Sequence, residues 1–192
     1  MASHFLIEGP GGIPQIKMQA GYNSALPITT TGAVTTGNLV VNGTAAITGA
    51  ITGLEPVVNV TGSTSSPTQA QSGTTFTLNR AAGCTVTLPT PVVGTNYSWI
   101  VSTSVTSNSY KIITSAGSVY MQGVDNASYA TAGVGAMFQG NGTSHISFNC
   151  NGTTTGGLIG TTITAYCLTS TLWHVVAQNF GSGTLATSFG TS

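Results

Sequence analysis

The chain has 192 residues, no formal net charge, and only three basic and three acidic side chains, where an ordinary soluble domain is about a quarter charged. Lys17, Arg80 and Lys111 are too few to neutralise a phosphate backbone, so nucleic acid is excluded as an expected partner. Glu8, Glu55 and Asp125 form no cluster for calcium or magnesium.

Glycine supplies 26 positions and serine plus threonine 54, together 80 of 192. Strong helix formers other than Ala and Leu are scarce, which disfavours helix. Hydrophobic residues nevertheless make up 40% of the chain, so it can form a core rather than remain disordered. Zero net charge removes colloidal repulsion, and the expectation is a protein that lives inside an assembly.

Residues 1–31 read as an extended arm. Gly9, Pro10, Gly11, Gly12, Pro14 and Pro27 interrupt it too often for a helix or a long strand. Its apolar residues Phe5, Leu6, Ile7, Ile13 and Ile16 need a surface, either their own domain or a partner protein. The opening stretch Met1–Gly12 has no basic segment followed by a long apolar one, so it is not expected to act as a secretory signal. No apolar run reaches the roughly 18 residues of a membrane helix, and no membrane partner is expected.

Residues 32–53 repeat, with glycines at 32, 37, 43, 49 and 53. A period near six marks stacked short strands of the β-helix kind. One such segment cannot bury its own apolar face. Three chains wrapping together would cover Leu39, Val41, Ile47 and Ile51 and close the strand edges, which predicts a homotrimer; a pair of hairpins in a monomer is the alternative. Residues 54–72 read as a linker, with a short strand available at 57–60.

Residues 73–192 read as one all-β domain. Strands are expected at 74–78, 85–88, 97–101, 110–114, 119–122, 136–139, 144–149, 161–168 and 173–177, where β-branched and aromatic residues concentrate between turn residues. Their number and spacing suggest a β-sandwich, jelly roll or small barrel. Asn141-Gly142 and Asn151-Gly152 read as hairpin turns. Cys84, Cys150 and Cys167 are odd in number and read as small apolar strand residues; a Cys150–Cys167 bridge is the other reading.

Little in the sequence carries chemistry. A serine triad needs an acid behind its histidine, and only Asp125 is placed to serve. His145, His174, Cys150 and Cys167 fit no standard zinc spacing. The Gly181–Ala186 string mimics a dinucleotide fingerprint but leaves no room for the helix that must follow it. The reading is therefore of no enzyme, no cofactor and no metal.

The runs TTFTLN (74–79), GCTVTLPTPVVGTNYSWIV (83–101) and SYKIIT (109–114) resemble a β-domain recurrent in virion proteins of tailed bacteriophages. The ending GTTITAYCLTSTLWHVV (160–176) is similar to that domain's closing hairpin, in which a late tryptophan packs on the sheet. The upstream GNLVVNGTAAITGAITG (37–53) resembles the triple β-helix stretches of phage fibres and decoration proteins. Thr161 and Ser170–Leu172 depart from the usual pattern of the family, and no binding function is carried over to them.

The resemblance implies a trimeric virion protein without catalysis. The expected role is capsid decoration, or cement, on the outer capsid surface. The arm residues Phe5, Leu6, Ile7, Ile13 and Ile16 would lie on the major capsid protein. The alternative is a short head or tail fibre, or an adaptor, whose C-terminal domain binds a host glycan. An exposed cluster of Tyr120, Tyr129 and Trp173 would favour the alternative.

Overall fold

The computed structural model describes residues 57–129 and 134–192, together with the backbone of two short strands nearer the start. The chain divides into two compact units, Met1–Ile51 and Thr52–Ser192. In the first, β1 (Ile7–Glu8) pairs antiparallel with β2 (Pro14–Gln15), placing Ile7 opposite Gln15 and Glu8 opposite Pro14. The repeat at 32–53, with its expected inward residues Leu39, Val41, Ile47 and Ile51, lies outside the described residues.

The second unit is all-β, as the composition implies, and consists of two mixed sheets, neither of which closes into a barrel. The strands are β3 (Val57–Val60), β4 (Thr64–Ser65), β5 (Thr75–Leu78), β6 (Cys84–Thr87), β7 (Asn96–Val101), β8 (Tyr110–Ile113) and β9 (Tyr120–Tyr129). They are followed by β10 (Gly135–Asn141), β11 (Ser147–Cys150), β12 (Thr162–Thr169), β13 (Leu172–Gly181) and β14 (Phe189–Gly190). The larger sheet runs β10-β9-β13-β12-β7-β5-β3, and the smaller runs β14-β11-β8-β6-β4.

From β3 to β8 successive strands alternate between the sheets. β3, β5 and β7 stack in parallel on one side, and β4, β6 and β8 on the other. The result is a short parallel coil of three turns, in a stretch where the sequence did not lead one to expect it. Each turn presents its apolar residues at the same height. Val60, Leu78 and Val101 form one inward row, and Val58, Phe76 and Trp99 the next. Phe76 and Trp99 stack with ring centroids 6.0 Å apart, a separation that suits offset aromatic pairs.

The second half reverses direction. β11 runs antiparallel on β8, and β12 lies antiparallel between β7 and β13. Residues of both sheets meet in one core that includes Tyr97, Trp99, Tyr110, Phe148 and Trp173. The alternation read from the sequence holds: Tyr97, Trp99 and Val101 are buried on one strand, and Ile163, Ala165 and Cys167 on another. The three cysteines are all buried and free, so Cys150 and Cys167 are not bridged.

Two expectations differ from what is observed. The short strand offered at 57–60 is present, but in the rest of the stretch read as a linker Thr64–Ser65 also runs as a strand, and the Thr85 N–H donates to the Ser63 carbonyl at 2.9 Å. A parallel strand requires little apolar content when its ladder partner is supplied by the next turn of the coil. Asn141-Gly142 and Asn151-Gly152 do turn the chain, with φ of 71° and 83° at the glycines, but they do not make hairpins. Each carries the chain from one sheet to the other. Asn141 Oδ1 accepts backbone N–H groups of Thr143, Ser144 and His145, and Asn151 Oδ1 those of Thr153 and Thr155. The asparagine side chain substitutes for the ladder partner that a hairpin would provide. The true hairpins of this unit are β9–β10 and β12–β13.

Removing Trp99 removes the centre of the stack. Trp99→Ala should cost about 3–5 kcal/mol. Ile100→Thr, at the exposed neighbouring position, should change stability by less than about 0.5 kcal/mol. Denaturant midpoints of the two variants against the parent chain check this contrast.

Candidate functional site

The expected capsid-contact residues Phe5, Leu6, Ile13 and Ile16 lie outside the described residues, as do the expected trimer-contact residues. Ile7 is described only as backbone, in β1. The candidate site must therefore be sought on the second unit.

Its titratable side chains do not gather. Among the described residues, no group of three His, Cys, Asp or Glu side chains comes together at metal-binding range. His145 stacks on Phe189 at 5.8 Å, and its Nδ1 accepts the Asn141 N–H at 3.1 Å. His174 lies in register between Gln122 and Tyr166 on the larger sheet. Burial raises the thiols of Cys84, Cys150 and Cys167, for Cys150 with a further push from the Asp125 carboxylate. Trp173 is fully buried, so it offers no face on which a sugar could stack.

The outer face of the seven-stranded sheet is broad and carries no Asp, Glu, Lys or Arg. One register row across it is Met137, Asn126, Gln178, Thr162, Ile100, Thr77 and Asn59. The next is Gln139, Val124, Val176, Thr164, Ser98, Thr75 and Val57. Val57 and Met137, on the two edge strands, are 61% and 70% exposed. The edge strands β3 and β10 contain neither charge nor proline, the usual devices that keep an edge from pairing with another chain. This arrangement was legible only as scarcity of charge; the sequence did not show that one whole face would lack it.

A polar cavity of about 280 Å³ opens beside the smaller sheet. Ser63, Arg80, Gly83, Thr85, Asn108 and Ser109 line this open depression. Sequence reading did not single out any of these residues as a site, because they converge from three successive turns of the coil.

Asp125, the one acid whose side chain is described, is completely buried. Ser188 Oγ donates to its Oδ2 at 2.5 Å, and Asn179 Nδ2 donates to the same oxygen at 3.2 Å. Asn179 also donates to the Thr155 carbonyl, and its Oδ1 accepts the Gly157 N–H at 3.0 Å and the Thr161 hydroxyl at 3.3 Å. The group ties β9, β13, the 151–161 loop and the last residues into one knot. Asp125 Oδ1 has no hydrogen-bond partner among the described residues. No histidine takes part, so the acid considered for a triad is here a structural tie.

A scan against protein-family models finds no match, and a comparison with curated proteins finds none.

Burial raises the Asp125 carboxyl above its ordinary 3.8, against the lowering effect of its bonds from Ser188 and Asn179. The folded state then holds the proton more tightly than the unfolded chain does. The Asp125 contribution to stability is therefore greatest below pH 3.8, falls as pH rises from there through the raised value, and is level above it. Thermal unfolding followed from about pH 3 to about pH 8 should show this fall in the parent chain and a flatter profile in Asp125→Asn. Equal slopes in the two proteins would contradict the assignment.

Proposed function

We propose that this protein is a structural component of a tailed-phage virion, decorating and stabilising the capsid as a homotrimer. The observation that carries the reading is the uncharged outer face of the seven-stranded sheet, bounded by edge strands that carry no charge either. A lone soluble domain protects its edges with charge, turns or cover. A protein held in a fixed shell has its surfaces covered by neighbours and requires less such protection. The resemblance of residues 74–114 and 160–176 to tailed-phage virion domains supports the same reading.

In this reading the arm, through Phe5, Leu6, Ile7, Ile13 and Ile16, lies on the major capsid protein. Leu39, Val41, Ile47 and Ile51 face one another across three chains. The second unit is a β-sandwich of jelly-roll kind that projects outward on the virion surface. With few charged residues to pair, the protein's own stability would vary little with salt.

A short fibre or adaptor that holds a host glycan is the second reading. The polar cavity at Arg80 favours it; the burial of Trp173 removes one of the aromatic residues on which it would otherwise lean.

Sedimentation of the full chain, alone and mixed with empty capsids of the parent phage, tests the first reading. The expected result is a trimer that coats the shell. Phe5→Asp, Ile7→Asp and Ile13→Asp in one chain should leave the trimer intact and abolish coating. A monomer, or a trimer that ignores capsids and binds host cells, would overturn it.

A further inference from the structure

We propose that the cavity at Arg80 binds a carboxylate-bearing sugar, with the guanidinium pairing with the carboxylate and the surrounding hydroxyl and amide groups bonding the ring hydroxyls. The inference does not depend on where on a particle the protein sits.

Bonds among the residues that line the cavity and their neighbours hold it in shape. Residues 80–83 form a tight turn in which the Gly83 N–H donates to the Arg80 carbonyl at 2.9 Å. Arg80 Nη1 donates back to the Gly83 carbonyl at 2.6 Å, which folds the guanidinium over its own turn. The Arg80 N–H donates to the Tyr110 hydroxyl at 2.9 Å, tying the turn to a core residue. Gly83 rests directly on the Ser109 backbone. A Cβ at Gly83 would stand 2.5 Å from the Ser109 oxygen and 2.8 Å from its nitrogen, so a side chain there would force the two walls apart.

Asn108 also lines the cavity. It has φ of 56°, and among the described residues it is the one non-glycine with positive φ. Its Nδ2 donates to the Ala82 carbonyl at 3.1 Å, locking the rim to the turn. Asparagine tolerates this left-handed conformation better than other side chains, which suits it to the tight turn at the rim.

The charge at the cavity is positive and faces no carboxylate among the described side chains, because Asp125 is buried in its own knot. A guanidinium has five N–H donors, and the bond to Gly83 uses one. The remaining fork matches a carboxylate in two parallel bonds. Lys111 stands opposite Thr85 in the β6–β8 register and adds a second positive charge nearby. Ser63, Thr85 and Ser109 supply hydroxyls and Asn108 an amide, the groups that a polyol ring requires. No aromatic side chain lines the cavity, so recognition rests on hydrogen bonds and charge rather than on stacking. A volume of about 280 Å³ suits a single sugar ring. Nucleic acid is a poor fit, because it rewards rows of cations rather than one fork among hydroxyls.

The test is titration of the full-length protein, followed by amide NMR and calorimetry, with glucuronate and N-acetylneuraminate as probes and glucose and inorganic phosphate as comparisons. The expected result is saturable binding of at least one acidic sugar, with shifts at Gly83, Asn108 and Ser109. Glucose and phosphate should bind at least roughly tenfold more weakly. Arg80→Gln should abolish binding. Arg80→Lys, which keeps the charge and loses the fork, should weaken it by roughly tenfold. Lys111→Gln should weaken it by a smaller factor, and the unchanged amide spectrum of the remaining core serves as the folding control. Absence of saturable acidic-sugar binding, equal binding of phosphate or glucose, or undiminished binding in Arg80→Gln would overturn the proposal.

Discussion

Inward side chains of the parallel coil sit at matching heights, and the rest of the second unit is built on that alignment. Val60, Leu78 and Val101 make one such row, Val58, Phe76 and Trp99 another, and Cys84 with Tyr110 and Val86 with Ile112 answer them from the smaller sheet. With scarcely any charges in the chain, ion pairs cannot fix the register. Backbone ladders set the spacing, and apolar contact between successive turns sets which faces meet. A slip by one residue would turn Trp99 to solvent and Ile100 into the core, which is why the register is so strongly specified.

The antiparallel half completes this coil rather than forming a separate layer. β12 docks on β7 and β11 on β8, so both exposed flanks of the third turn are covered. β13 then joins β9 in parallel over ten residue pairs, bringing Asp125 to the knot with Asn179 and Ser188. A buried carboxyl bonded only by neutral groups is costly to ionise. Here it binds the last residues of the chain to the sheet, a place where apolar packing alone would leave the loop polar groups unpaired.

Exposed charge is confined to a few places because the outer surfaces are mostly Thr, Asn, Gln, Ser and small aliphatic residues. That composition leaves the wide face of the larger sheet without charge. It also makes the Arg80 cavity stand out. The same coil that stacks the core brings Ser63, Thr85 and Ser109 from three successive turns to one opening, so a site with three hydroxyls follows from the fold's repetition rather than from any local motif.

Much of the strand content was legible in the sequence. Alternation placed Tyr97, Trp99 and Val101 on a buried face, and β-branched runs located nearly every strand of the second unit, because period-two burial is a local property. The two Asn-Gly pairs were legible as turns but not as crossings between sheets, since an asparagine cap has the same sequence signature as a hairpin. Thr64–Ser65 and Phe189–Gly190 were missed, because two-residue strands exist only through the partners that tertiary structure supplies. By itself the sequence determined that the protein is all-β, poor in charge and cored by aromatic and β-branched residues, since composition and periodicity act within a few residues. Only the tertiary structure decided that β3, β5 and β7 stack in parallel, that Asp125 is tied to Asn179 and Ser188, and that Arg80 lines one cavity with residues of distant turns, since each of these depends on contacts between residues far apart along the chain.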